Sequence, residues 1–86
     1  MDNISKNNIQ IPVIVIFTLP NMYNYRTKYI RPILLTDCDW YNLFEAIFKT
    51  VNKKEYPDGI TSKSIDIVSI NEISMDFYNM LMKKQQ

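Results

Sequence analysis

The segment Ile11-Pro12-Val13-Ile14-Val15-Ile16-Phe17-Thr18-Leu19 constrains the fold most, because it is almost continuously apolar and dense in β-branched residues. Such a run suits a strand covered on both faces better than one turned toward water. It is too short for a membrane helix, which needs about 20 apolar residues. The chain is therefore expected to form a domain around this strand, with no membrane segment.

Pro20 and Asn21 end the run, and Tyr29 to Leu35 supplies a second strand. Pro32 has no N–H to give to a ladder and assigns that strand to an edge. Thr36 opens a helix: Thr36-x-x-Asp39 approximates a capping box, and Asp37 and Asp39 oppose the positive end of the helix dipole. Trp40, Leu43, Phe44, Ile47 and Val51 recur at helical spacing as one apolar stripe. Tyr56-Pro57-Asp58-Gly59 reads as a turn. Ser64 to Ile70 alternates as a third strand with Ile65 and Ile67 inward, and Ile73, Phe77, Met80 and Leu81 mark a second helix running to about Lys84, capped by Asn71 or Ser74.

The expected fold is a small single α+β domain over residues 9–86, β-β-α-β-α, preceded by a flexible polar arm over residues 1–8. Its three-stranded mixed sheet has the order 2-1-3, with a right-handed crossover joining strands 2 and 3. Both helices on one face would leave Ile14 and Ile16, or Val13, Val15 and Phe17, uncovered on the other. That apolar face would then be a site for a homodimer. One helix on each face is the alternative, and it would satisfy a monomer.

Composition narrows the chemistry. The 86 residues hold no histidine, one cysteine (Cys38) and one glycine (Gly59). Zinc sites, phosphate-cradling loops and His-based acid–base chemistry all lack their residues. Cys38 between Asp37 and Asp39 resembles a reactive thiol at a helix start, but flanking carboxylates oppose thiolate formation and no base is at hand. Two carboxylates make a poor divalent site, and the residues after Asp58-Gly59 lack the register of a calcium loop. No cofactor, no metal and no catalysis are expected. A lone cysteine suits a reducing, cytoplasmic setting.

Net charge is only +1, yet residues 1–36 carry +3 and the remainder −2. The positive charge gathers in a segment, residues 21–31, where Tyr23, Tyr25 and Tyr29 interleave with Arg26, Lys28 and Arg31. Tyr and Arg are enriched at binding hot spots, and Tyr with Asn is the composition of antibody contact loops. These six residues are the expected contact surface for a protein that the chain binds and blocks or modulates. Single-stranded nucleic acid is the alternative partner, with the tyrosines stacking bases and the cations neutralising phosphates. The abundance of residues with AT-rich codons, Ile, Asn, Lys, Tyr, Met and Phe, points to a low-GC genome. Together with the missing catalytic set, it suits a phage or mobile-element inhibitor of a host enzyme or immune effector.

Overall fold

A computed structural model describes residues 9–84, so the N-terminal arm expected over residues 1–8 lies outside the described residues. Strand β1 (Gln10–Pro20) and strand β2 (Arg26–Thr36) form a hairpin. Two short helices follow, α1 (Asp37–Tyr41) and α2 (Leu43–Phe48), then 3-10 turns at Lys53–Glu55 and Ser62–Ser64. Strand β3 (Asp66–Glu72) and helix α3 (Met75–Lys84) complete the domain.

The sheet order is β2-β1-β3, with the apolar run of β1 at its centre and Pro32 on the edge strand β2. Both pairings with β1 are antiparallel. β2 and β3 thus run in the same direction, as a crossover requires, but they flank β1 and never pair. The sheet is antiparallel throughout, which corrects the mixed sheet expected from the sequence.

Alternation along β1 separates two faces. Val13, Val15, Phe17 and Leu19 point into the core with Tyr29, Ile33 and Leu35 of β2. Ile47, Val51 and Ile65 close over them from the connection between β2 and β3. Pro12, Ile14, Ile16 and Thr18 point to the other face, the one that carries α3. That helix lies against β1 and β2 and contributes nothing to the main core, so each face carries one helical layer. Ser74 caps α3 by accepting from the Phe77 amide (3.1 Å), and the Ile73 amide extends the ladder to the Pro12 carbonyl (2.9 Å).

The helix expected after Thr36 starts as read. The Asp39 carboxylate accepts from the Thr36 amide (2.9 Å) and hydroxyl (3.1 Å). It breaks at Asn42, whose backbone (φ −127°, ψ 51°) leaves the helical region. Asparagine competes with helix formation through its own side chain and suits such a break. The break splits the apolar stripe: Ile47 and Val51 reach the core, whereas Trp40 and Phe44 turn outward, each 46% exposed. Gly59, at φ 92°, occupies the turn conformation that only glycine adopts freely.

Candidate functional site

The β1–β2 hairpin turn is organised by one side chain, that of Asn21. Its Oδ1 accepts from the amides of Tyr23 (2.8 Å) and Tyr25 (3.2 Å), and its Nδ2 donates to Thr27 Oγ1 (3.1 Å). The Asn21 amide closes the loop onto the Tyr25 carbonyl at 2.8 Å. Asn24 takes the left-handed backbone conformation, φ 64°, which asparagine tolerates better than most residues. Backbone groups of the turn are thus satisfied locally, and Tyr23 and Tyr25 stand out into solvent, 79% and 73% exposed.

Of the six residues expected to form the contact surface, the structure brings Tyr23 and Tyr25 together on this turn and leaves Lys28 exposed nearby on β2. The other three do structural work. Tyr29 is corrected outright: it is 6% exposed, and its ring stacks on Phe17 with centroids 5.3 Å apart. Its parity with Ile33 and Leu35 along the strand is the sequence signal that places it inward. Arg26 reaches across the sheet end, donating from Nε to Thr18 Oγ1 (2.8 Å) and from Nη2 to the carbonyls of Thr18 (3.1 Å) and Ser64 (2.7 Å). It also pairs with Asp66 at 3.4 Å, so one guanidinium ties β2 to β1 and to the start of β3. Arg31 is half-buried, its guanidinium carbon 5.1 Å from the centroid of the Tyr29 ring. Arg26 makes these contacts while remaining exposed.

Burial pushes the Tyr29 phenol above the ordinary 10.0, Glu55 adds to the rise, and Arg31 opposes it. A raised pKa favours the neutral phenol in the folded state. Its contribution to stability is complete below the unfolded value and falls away as pH climbs from there through the folded value. In an ultraviolet titration the Tyr29 phenol is expected to ionise above the ordinary tyrosine value. Replacing it by phenylalanine should remove part of the alkaline loss of stability; an unchanged alkaline profile in Tyr29→Phe would contradict this assignment.

Beside the turn, Met22 forms one wall of an open groove of about 570 Å³, completed by Asn52, Lys53, Lys54, Tyr56, Pro57 and Asp58. In the sequence this segment shows only a helix end and a turn. Its fold is set by Asn52, which accepts from the Lys54 amide (3.0 Å), and by Glu55, which accepts from the Asn52 amide (3.3 Å). The Phe48 and Tyr56 rings meet at 4.9 Å and anchor it to α2.

A second exposed aromatic set, Trp40, Tyr41 and Phe44, lies on α1 and α2. Sequence periodicity concealed it by counting Trp40 and Phe44 as core. Cys38 is exposed nearby. Among the described residues no group of three or more His, Cys, Asp or Glu could hold a metal ion, and no helix is long and apolar enough to cross a membrane.

With the geometry in place, comparison with known proteins adds no constraint: no family model, curated protein or solved structure matches the chain. Any functional reading therefore rests on the side chains themselves.

Proposed function

We propose that this protein is a non-enzymatic binding module that engages another protein through its hairpin turn and thereby blocks or modulates it. The observation that carries the reading is the pairing of two exposed tyrosines with a turn already held in shape by Asn21. Ordering a loop on association costs free energy, and a turn fixed beforehand avoids much of that cost. Tyrosine adds large amphipathic area with few rotatable bonds. Met22 and the groove beneath it extend the surface with an adaptable thioether and with Lys53 and Lys54.

The cations near the turn make salt dependence the measure that separates a protein partner from single-stranded nucleic acid. Arg26 contacts Thr18, Ser64 and Asp66 while remaining exposed, Arg31 lies on Tyr29, and Lys28 is exposed on β2. Together with Lys53 and Lys54 of the groove, Lys28 could neutralise about three phosphates, a slope of about −2 in log affinity against log salt for a single strand, whereas a protein held by the tyrosines should depend on salt only weakly.

The test is affinity capture from cells of the source, with wild-type protein and the Tyr23→Ala/Tyr25→Ala variant as baits, repeated at low and high salt. A protein retained by the wild type at both salt levels and lost by the variant supports the reading. Capture that the variant matches, or that consists of nucleic acid released by salt, overturns it.

A further inference from the structure

The groove beside the hairpin turn is held in shape by its own hydrogen bonds. Asn52 accepts from the Lys54 amide (3.0 Å), Glu55 accepts from the Asn52 amide (3.3 Å), and the Ile60 amide donates to the Pro57 carbonyl (3.4 Å), with Gly59 at φ 92° turning the chain. Of the lining residues, Tyr56 and Pro57 are half-buried, and the Tyr56 ring is fixed on Phe48. Met22, Lys53, Lys54 and Asp58 are exposed. Met22, Tyr56 and Pro57 thus give the groove its apolar surface, and charged groups stand around it. Its volume of about 570 Å³ lies within the ~300–1,000 Å³ of clefts that take small ligands or single side chains.

The charges that line the groove are Lys53, Lys54 and Asp58, net +1. Glu55 does not line it: its carboxylate is turned to the Asn52 amide. Residues 21–31 and 52–58, with Asp66 on Arg26, hold five cations (Arg26, Lys28, Arg31, Lys53, Lys54) against three anions (Glu55, Asp58, Asp66), net +2. Residues 37–49 hold Asp37, Asp39 and Glu45 against Lys49, net −2. The hairpin and its groove are therefore the positive region, and α1 with α2 the negative one.

We propose that the groove receives a short acidic segment of the protein that the hairpin turn binds: an apolar side chain seats against Met22, Tyr56 and Pro57, and an adjoining Asp or Glu meets Lys53 and Lys54. This rests on the hairpin reading in taking the partner to be a protein. Opposite charge at a rim speeds encounter and rejects partners of the wrong sign, while adding little to affinity. The lysines select the segment and the tyrosines hold it, so salt dependence stays weak. Asp58 disfavours a nucleic-acid strand in the same place. A strand carries a phosphate at every nucleotide, whereas a peptide can set one carboxylate beside the lysines and an uncharged residue beside Asp58.

A random peptide library displayed on phage, panned against the immobilised full chain at about 0.15 M salt, tests this. The baits are wild type, Lys53→Glu/Lys54→Glu, Tyr23→Ala/Tyr25→Ala and, as a control of equal charge change on α3, Lys83→Glu/Lys84→Glu, each checked for fold by circular dichroism. Wild type should enrich peptides with Asp or Glu beside Trp, Phe, Leu or Met. Lys53→Glu/Lys54→Glu should exchange those acids for Lys or Arg, and the α3 control should keep them. The best acidic peptide, synthesised with a fluorescent label, should bind Lys53→Glu/Lys54→Glu about tenfold more weakly than wild type by anisotropy. If that variant does not fold, Lys53→Gln/Lys54→Gln takes its place and should lose the preference for acids. No enrichment, enrichment without acidic residues, or an acidic preference that survives at the groove variant or is equally lost by the α3 control would overturn the proposal. So would tighter binding of labelled oligothymidylate than of the peptide, which would give the groove to single-stranded nucleic acid. If Tyr23→Ala/Tyr25→Ala selects the same acidic peptides with wild-type affinity, the hairpin reading fails and the groove assignment stands.

Discussion

Phe17→Ala is expected to be among the most damaging substitutions in the chain, lowering the unfolding midpoint far below that of the wild type. Phe17 is fully buried at the centre of β1 and stacks on Tyr29, whose ring also carries the Arg31 guanidinium. Truncating a buried aromatic costs about 3–5 kcal/mol in lost transfer free energy and cavity formation. A domain of this size has roughly 4–13 kcal/mol in total. The substitution also removes the ring against which Tyr29 packs. Trp40→Ala provides the contrast: Trp40 is 46% exposed on α1, and its loss should cost no more than about 1 kcal/mol. Chemical denaturation of the two variants checks both, and equal destabilisation would refute the placement of Trp40 outside the core.

The contrast shows what the sequence could and could not specify. β1 was legible because a run of β-branched residues has one good use in a small domain, and Pro32 identified the edge for a stereochemical reason. The capping box at Thr36 and the turn at Gly59 are local chemistry and appeared where expected. Trp40 was misplaced because a 3.6-residue period projects onto one face only if the helix is continuous, and Asn42 interrupts it. The burial of Tyr29 and the cross-sheet contacts of Arg26 were hidden for a different reason. Composition marked residues 21–31 as a binding segment, but each side chain's fate depends on strand register: Tyr29 pairs with Phe17, and Arg26 sits diagonally across from Thr18. Register follows from turn length, and the Asn21 turn admits the strand pairing as early as Arg26, three residues before the expected start. β3 was likewise placed two residues early, because the 3-10 turn at Ser62–Ser64 takes up residues whose alternation resembles a strand.

The second large effect concerns binding. Tyr23→Ala/Tyr25→Ala should weaken partner affinity at least about 100-fold, since truncation of a tyrosine hot spot typically costs 2 kcal/mol or more and 1.4 kcal/mol is tenfold. The unfolding midpoint should stay near the wild-type value, because both side chains project into solvent and the Asn21 contacts that hold the turn are to backbone amides, which alanine retains. Loss of binding together with loss of stability would mean that the tyrosines support the fold rather than a contact.

The exposed Trp40, Tyr41 and Phe44 offer the one rival aromatic surface of comparable size among the described residues, and they make the decisive comparison possible. The most direct measurement is calorimetric titration of the captured partner into three proteins: wild type, Tyr23→Ala/Tyr25→Ala and Tyr41→Ala/Phe44→Ala. A hairpin interface predicts that the first substitution pair abolishes the binding heat while the second leaves affinity within about threefold of wild type. The reverse pattern, with binding surviving at the hairpin variant and lost at the helix variant, would contradict it and move the site to α1 and α2.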